Sequence, residues 1–500
     1  MNFLANAAMA FQVALEPLNI LFCFLGCLVG TFVGVLPGLG PAASISLLLP
    51  LTFLMPPEAS IIMLGGLYYG TMYGGSTTSI LLNIPGEAAS VVTCLDGYQM
   101  AKKGRAGPAL GIAAFGSFIA GTFGTFLIMV LAPPLAKLAL KFGPPEFVGL
   151  VFLGLTLVTS LSGGSKVKAL MMGVVGLLLS YVGIDIVTGR ERFTFGISTI
   201  SGGFDMVPIA MGLFGISEVL INLTQPEEKR EIFNTSVREL LPSKQDWKDS
   251  AGPIGRGSIV GFLLGIIPGG GGMLSSFVSY AMEKKLAKHP ENFGLGDIRG
   301  VAGPESANNA GAQGAFIPML TMGIPCNVTL AILMGALMIH GVTPGPLMLA
   351  EHPRVFWGVI GSMYIGNIML LLLNLPLIGL WVKMLKVPYA FLFPFIFLFC
   401  LIGAFTIGNN SSDILIMIIF GVLGFLMKKG GFEPAPLVLA FVLGPMFENA
   451  FRQSLIISRG NLSIFMTKPL AAAFILVSLV LLAWPMLSKL FRKHRPSTAV

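Results

Sequence analysis

The residues in this sequence that could do chemistry cluster at two interruptions of apolar segments. The first, GVLPGLGPAAS, occupies residues 34–44, and the second, GIIPGGGGMLSS, occupies residues 265–276. A chain that stops and restarts as a helix exposes free N–H groups carrying roughly half a positive charge, which can receive a carboxylate. Glycines let the backbone approach a ligand closely. The two interruptions therefore predict matching halves of one anion-binding site.

The energetic cost of these interruptions predicts where they lie. A proline inside a helix costs about 3 kcal/mol or more, and each unsatisfied backbone group in lipid costs several more. Such backbone survives only against protein or a water-filled cavity, so we expect both breaks to face the protein interior. The alternative reading is close helix packing through small residues.

Neutral hydroxyl and amide side chains near the breaks complete the predicted substrate site. Four serines, Ser44, Ser46, Ser275 and Ser276, are expected to cap or line the restarted helices. The predicted substrate-binding residues are Pro37, Gly38, Gly40, Ser44, Ser76, Thr77, Thr78, Asn83, Pro268, Gly269, Gly270, Ser275, Asn308, Asn309, Gln313 and Asn327.

One acidic residue, Glu305, lies between Pro304 and an asparagine pair. A charge at mid-bilayer costs on the order of 2.5–3.5 kcal/mol or more and usually marks function. The alternative role for Glu305 is that of an ordinary helix cap. We predict that Glu305 belongs to the site.

The composition is that of a polytopic membrane protein, with 54% hydrophobic and 11% charged residues. Apolar stretches recur along the chain and predict about ten to twelve spans of about 20 residues each. Basic residues at 489–495 follow the last apolar stretch and place the C-terminus in the cytoplasm, whereas the start of the chain lacks the charged region of a cleaved signal. An anionic lipid surface explains the basic cluster, so no nucleic-acid partner is expected.

The cysteines and histidines give no support to metal or nucleophilic chemistry. The five cysteines form no CxxC pair, and the four histidines are scattered. Neither glycine-rich break has the spacing of a P-loop or a dinucleotide-binding fingerprint. We expect no organic cofactor and no enzymatic activity.

Three landmarks recur in the same order on both sides of a charged segment. The breaks pair with each other, residues 82–86 pair with 322–326, and 115–117 pair with 360–362. The connection before the third landmark carries Lys102, Lys103 and Arg105 in the first half, but only Arg354 in the second. This asymmetry suggests opposite sides of the membrane and an inverted repeat.

The predicted fold is an all-α polytopic membrane protein with two inverted repeats and broken helices or helical hairpins at the midplane. The predicted divisions are a first repeat half at 1–224, a polar linker at 225–256, a second half at 257–460, and a last span with a basic tail at 461–500. Within the first half, residues 95–108 are predicted to form a polar connection.

Five motifs resemble one family along nearly the whole chain. They are LPGLGP at 36–41, LDGY at 95–98 with AKKGRAGPALG at 101–111, PIAMGLFG at 208–215, PESANNA at 304–310, and RQSL at 452–455. Together they are similar to the large membrane subunit, TctA, of the tripartite tricarboxylate transporters.

The resemblance implies a secondary transporter in the bacterial inner membrane that imports tricarboxylates, dicarboxylates or aromatic carboxylates on an ion gradient. It implies two partners, a small four-span membrane subunit (TctB-like) and a periplasmic solute-binding protein (TctC-like), and an elevator-like movement. We expect Na⁺ or H⁺ as the coupling ion at the same breaks, near Gly86, Glu305, Ser46 and Ser276. The competing functions are an anion channel and a membrane-embedded enzyme.

Overall fold

Helices form almost all of the regular structure in the computed structural model of this chain. The structure describes residues 3–36, 40–161, 165–185, 187–224, 233, 237–385, 389–408 and 410–493. Within these ranges the only strands are β1 (Gly183–Ile184) and β2 (Glu191–Arg192), which pair antiparallel. The α-helices are α1 (Phe3–Ala14), α2 (Pro17–Val35), α3 (Pro41–Thr52), α4 (Pro57–Leu82), α5 (Val91–Lys102), α6 (Ala106–Ala139), α7 (Pro144–Leu161), α8 (Lys166–Ser180), α9 (Met206–Ala210), α10 (Ser217–Thr224), α11 (Lys244–Gly265), α12 (Gly271–Leu286), α13 (Arg299–Gly314), α14 (Phe316–Met322), α15 (Val328–Ile339), α16 (Met348–Glu351), α17 (Pro353–Asn374), α18 (Ile378–Met384), α19 (Tyr389–Gly408), α20 (Ser411–Lys429), α21 (Pro434–Ile457), α22 (Ile464–Thr467) and α23 (Pro469–Lys493).

Several of these helices are long and apolar enough to cross a membrane. In the described part of the chain six qualify by length and composition, and six more apolar helices have 10–17 residues. The six long ones are α2, α6, the continuous α9–α10 segment with its π-helical turn, α17, α20 and α21. The prediction of an all-α polytopic membrane protein is confirmed, whereas the number of spans stays a prediction.

Glycines at every fourth position bring the helix before each break against a neighbour. Gly26, Gly30 and Gly34 in α2 face α4, and a Cβ at Gly30 would lie 2.4 Å from the carbonyl oxygen of Leu67. The equivalent glycines of α11 at positions 257, 261 and 265 face α13, where a Cβ at Gly261 would lie 2.3 Å from a backbone oxygen. The two helix pairs therefore pack backbone against backbone.

The backbone also repeats at the end of the second landmark in each half. Asn83 ends α4 with φ 59°, and Gly323 ends α14 with φ 72°, both in the left-handed region. Glu87 and Asn327 follow in nearly identical extended conformations, and the side chain of each accepts a backbone N–H bond that caps the next helical turn. The element order α2–α3–α4–α5 thus recurs as α11–α12–α13/α14–α15, while the inversion of the repeat stays a prediction.

The stretch 95–108, predicted as a polar connection, is helical up to Lys102. The buried carboxylate of Asp96 in α5 accepts N–H bonds from Gly294 at 2.9 Å, Gly296 at 2.7 Å and Asp297 at 2.8 Å. Since backbone donors satisfy this charge, the helix can be buried despite its polar sequence. The connection prediction was therefore wrong for residues 95–102 and also for 106–108, because α6 begins at Ala106; residues 103–105 connect the two helices.

By compactness the chain forms two units, residues 1–137 with 205–427, and residues 138–204 with 428–500. In the second unit α21 packs against α7 and α8, and α23 packs against α7. Both breaks belong to the first unit, and so do the two hairpin tips, residues 83–87 after α4 and residues 323–327 between α14 and α15. The predicted division into repeat halves concerns sequence equivalence rather than compactness, and it stays a prediction.

Candidate functional site

Glu305 lies in the middle of α13 with 1% of its surface exposed. Its carboxylate accepts hydrogen bonds from Ser76 at 2.5 Å and from Thr93, which lie on α4 and α5 of the first half. The alternative reading as a helix cap is wrong, because the residue lies well inside α13. Glu305 and Ser76, both predicted from the sequence, do come together.

A second buried carboxylate, Glu87, was missed by the sequence analysis. One of its oxygens accepts the backbone N–H of Ala89 at 2.8 Å, and the other accepts the Asn308 amide at 2.9 Å. Glu87 immediately follows the Pro85–Gly86 tip and occupies the position equivalent to Asn327 in the second half. The repeat itself was the signal that could have identified it.

The second break lies between two of the predicted asparagines. Gly269 has φ 77° and donates its N–H to the carbonyl of Cys326 at 2.8 Å, which ties the break to the second hairpin tip. A Cβ at Gly272 would lie 2.2 Å from the Asn308 side-chain oxygen, and one at Gly271 would lie 3.8 Å from the Asn327 amide nitrogen. The start of α12 therefore meets amides from α13 and from the second tip.

The first hairpin also contributes to this region. The Asn327 amide donates to the Tyr68 hydroxyl on α4 at 3.0 Å. Ala89, just beyond the first tip, would lie 3.4 Å from a Cβ at Gly272. Elements of both halves thus converge on the start of α12.

The first break is only partly described, since Pro37 and Gly38 lie outside the described residues. Helix α3 restarts at Pro41, and Gly40 has open space around its Cα. The end of α2 is held by Thr78, whose hydroxyl donates to the carbonyl of Val35 at 2.8 Å. A Cβ on Gly86 would lie 2.4 Å from the Gly34 carbonyl, so the first tip closes against this helix end.

The four serines of the breaks do not cap the restarted helices, so the capping alternative was wrong, while the prediction that they line the site stays a prediction. Gly40 and Gly270 are the N-cap residues of α3 and α12, and neither helix has a side-chain cap bond. The serines lie inside the helices, where their hydroxyls donate to carbonyls: Ser44 to Gly40, Ser46 to Ala42, Ser275 to Gly271, and Ser276 to Pro304 on α13. The first-turn N–H groups of both helices are left without side-chain caps.

The other predicted residues fall on different surfaces. Asn83 is exposed at the end of α4, away from the buried set, and Gln313 is buried in α13. The Asn309 amide donates to Ser117 on α6 at 2.7 Å. Ser76, Thr77 and Ser117 line a narrow space with room for about one water molecule, which is too small for a carboxylate substrate.

Comparison with known proteins decides the family. The model of the family described as "Tripartite tricarboxylate transporter TctA family" matches residues 20–439. The chain belongs to the TctA family. Two similar proteins come from Agrobacterium vitis: one described as an uncharacterized 52.8 kDa protein in the TAR-I ttuC' 3' region, 53% identical over 96% of this chain and 95% of that protein, and one described as an uncharacterized protein in the TAR-II ttuC' 3' region, 54% identical over 44% of this chain and 91% of that protein. No solved structure matches.

In this TctA chain, Asn308 is hydrogen-bonded to Glu87, and Glu305 lies within electrostatic reach of Glu87, so the oxygen atoms of this group could hold a hard cation. Carboxylate and amide oxygens are the ligands that such cations prefer. Among the described residues no group of three or more His, Cys, Asp or Glu side chains is arranged to hold a metal ion. Oxygen atoms of this kind suit a hard cation better than a soft transition metal.

Proposed function

We propose that this chain is the large membrane subunit of an importer of carboxylates that depends on a binding protein and on a Na⁺ or H⁺ gradient. The family membership supports transport by a multi-pass membrane protein. The finer statements rest on the geometry of the second break and on the resemblance of the motifs.

The observation that carries the substrate class is the uncapped start of α12. Its N-cap is Gly270 with no side-chain bond, so first-turn N–H groups and the positive end of the helix dipole remain for a ligand. Asn308 and Asn327 lie beside Gly272 and Gly271 at this helix start. Free backbone N–H donors at the start of a partly buried helix suit a carboxylate group.

The partners and location follow from the family in the same way. A TctA chain is expected to work with a small four-span membrane subunit and a periplasmic solute-binding protein in the bacterial inner membrane, with its C-terminus in the cytoplasm. The paired breaks and hairpin tips are the parts that would move together in an elevator-type cycle. The nature of the carboxylate is set first by the binding protein.

Uptake into proteoliposomes that contain all three subunits tests this proposal. A panel of tricarboxylates, dicarboxylates and aromatic carboxylates is offered with a Na⁺ gradient, with a pH gradient, and with both collapsed by ionophores. We expect uptake of at least one member only with a gradient and with its binding protein. Equal uptake after both gradients are collapsed would show that uptake is coupled to neither ion.

A glycine substitution tests the site with a matched control. Gly272→Ala pushes a methyl group to 2.2 Å from the Asn308 oxygen, so we expect a large loss of uptake. Gly255→Ala adds the same methyl group to α11 where nothing lies within 4 Å, and uptake should be unchanged. Equal uptake by the two variants would place the substrate elsewhere.

The competing functions make different predictions in the same vesicles. An anion channel would let the carboxylate run down its own gradient without the binding protein. A membrane-embedded enzyme would convert the carboxylate, which mass spectrometry of the vesicle contents would detect.

A further inference from the structure

Glu305 and Glu87 are buried in the first unit, and neither has a positively charged partner among the described residues. Glu305 is bonded by the hydroxyls of Ser76 and Thr93, and Glu87 by the N–H of Ala89 and the amide of Asn308. All of these donors are neutral, and neither carboxylate forms an ion pair with any described residue. Burying a negative charge without a nearby positive charge costs free energy. This region therefore has a deficit of positive charge.

The side-chain oxygen of Asn308 is independent evidence for the same deficit of positive charge. Asn308 is 1% exposed, and its nitrogen is fixed by the bond to Glu87. Its oxygen finds no hydrogen-bond partner among the described residues. A buried hydrogen-bond acceptor that has no donor and lies beside a carboxylate is suited to bind a cation or a proton donor.

The titratable groups around the two carboxylates do not supply the missing charge. Tyr73 on α4 and Cys94 on α5 lie within electrostatic reach of Glu305, and Tyr68 on α4 lies within reach of Glu87. Tyrosine and cysteine side chains are neutral when protonated. No lysine, arginine or histidine faces the pair among the described contacts.

The position of the cluster gives the missing charge a role. Asn308 lies directly beside Gly272 at the start of α12, where the proposed function places the anionic substrate. Two uncompensated carboxylates in the same region would repel that substrate. A bound cation would remove the repulsion and would also join Glu87 of the first hairpin to α13 of the second half.

We propose that Glu87, Asn308 and Glu305 together take up the coupling cation, which binds as Na⁺ or as a proton before the carboxylate does. This inference rests on the proposed function of the same site. It identifies the residues that would couple carboxylate uptake to the cation gradient. Two carboxylates and one amide oxygen are a suitable oxygen set for one monovalent cation.

Melting of the purified membrane complex tests the site without measuring transport. The protein is titrated with NaCl against choline chloride at constant ionic strength and pH 8.5, and separately from pH 8.5 to 5.5 without Na⁺. We expect wild-type protein to be stabilised by Na⁺ if the cation is Na⁺, and by acid alone if it is a proton. A melting temperature that responds to neither would overturn the proposal.

The substitutions Glu87→Gln and Glu305→Gln keep the shape and remove the charge, and the remaining amide oxygen can keep one of the two accepted hydrogen bonds. Each should weaken the apparent affinity for the cation roughly tenfold or more. Glu351→Gln, at an exposed carboxylate that ends α16, is the matched control and should keep the full response. Wild-type responses in both Gln variants would show that the pair is structural only.

Asn308→Ala provides a second route if a Gln variant does not fold. It removes the unpartnered oxygen without changing the charge, and it should reduce the cation response while the control keeps it. An unchanged response in this variant would exclude Asn308 from the site.

The proposed function can fail separately from this inference. Absence of uptake by the wild-type three-subunit vesicles with every carboxylate and both gradients would contradict the transport proposal. The melting response and its loss in the variants would still establish the cation site.

Discussion

At the scale of single residues, Thr93 is the clearest test of how Glu305 is held. Thr93 and Ser76 donate to different oxygens of the same carboxylate, one from α5 and one from α4. Each hydroxyl therefore fixes Glu305 from the first half of the chain, although Glu305 itself belongs to α13. Loss of either donor leaves a buried carboxylate oxygen without its partner.

We predict that Thr93→Val lowers the initial rate of carboxylate uptake about tenfold. A hydrogen bond to a charged group contributes about 1.5–3 kcal/mol, and valine keeps the shape of threonine without the donor. Thr321→Val is the control, because among the described residues the Thr321 hydroxyl bonds the carbonyl of Ile317 in its own helix and no side chain of the site. Rates normalised to reconstituted protein that are equal in the two variants would contradict the role of Thr93.

The residue types explain which site residues could be predicted. Glu305 and Asn308 stand out because acids and amides are costly inside an apolar segment, and both are buried in α13. Glu87 and Thr93 lie between the landmark at 82–86 and the predicted connection at 95–108, in a stretch to which the sequence pattern assigns no role. Only their burial against the other half, which requires the tertiary structure, reveals that they belong to the site.

At the scale of elements, the glycines of α2 and α11 set how closely the helices before the breaks approach their neighbours. In each helix the last of the three glycines stands three residues before the proline of its break, at Pro37 and Pro268. The sequence contains this repeat in full, and four-residue spacing of small residues is a known sign of close membrane-helix packing. The partners, α4 and α13, could not be predicted because nothing in the spacing specifies which helix is contacted.

Gly261→Ala is expected to lower the melting temperature of the protein by several degrees. Its methyl group would lie 2.3 Å from the carbonyl oxygen of Ala307, and backbone cannot move away cheaply. Such overpacking typically costs about 1–3 kcal/mol. Gly255→Ala on the same helix meets open space and should not lower the melting temperature, because alanine favours a helix interior over glycine. Equal melting temperatures of the two variants would show that the close contact at Gly261 does not decide the result.

The second unit offers a test of electrostatics outside the spans. Asp185 follows α8, and its carboxylate accepts hydrogen bonds from Arg452 on α21 at 2.5 and 3.1 Å. These bonds, together with N–H bonds from Thr188 and Val187, hold the pKa of Asp185 below its ordinary value. Arg452 is thus occupied within the protein rather than left for lipid headgroups.

The lowered pKa of Asp185 predicts acid sensitivity with a definite sign. The folded state binds this proton less readily than the unfolded state, so the stabilisation is complete above the ordinary aspartate pKa of about 4. It is lost progressively as the pH falls below that value. Melting curves from pH 7 to pH 3 should show a smaller acid-induced decrease for Asp185→Asn than for Asp249→Asn, an exposed position on α11. Parallel decreases in the two variants would contradict this assignment.

At the scale of the whole molecule, the repeated order of elements raises the question of whether the two halves are inverted. The backbone conformations at Asn83 and Gly323 show that corresponding helices end in the same way. They do not show on which face of the membrane the corresponding connections of each half lie. The charge difference between the two connections is the sequence feature that addresses orientation, and it predicts opposite sides.

Cysteine labelling can decide the orientation because all five native cysteines are buried. Lys103→Cys lies in the basic connection before α6, and Thr343→Cys lies in the matching connection before α17; both positions are exposed. An impermeant maleimide should reach position 343 from outside intact cells and position 103 only in inverted vesicles, with the unsubstituted chain as control. An inverted repeat requires these opposite patterns, because corresponding connections of inverted halves leave the membrane on opposite faces. Labelling of both positions from one side would mean that the two halves are parallel. A two-fold axis in the membrane plane could then not explain why the two hairpin tips converge.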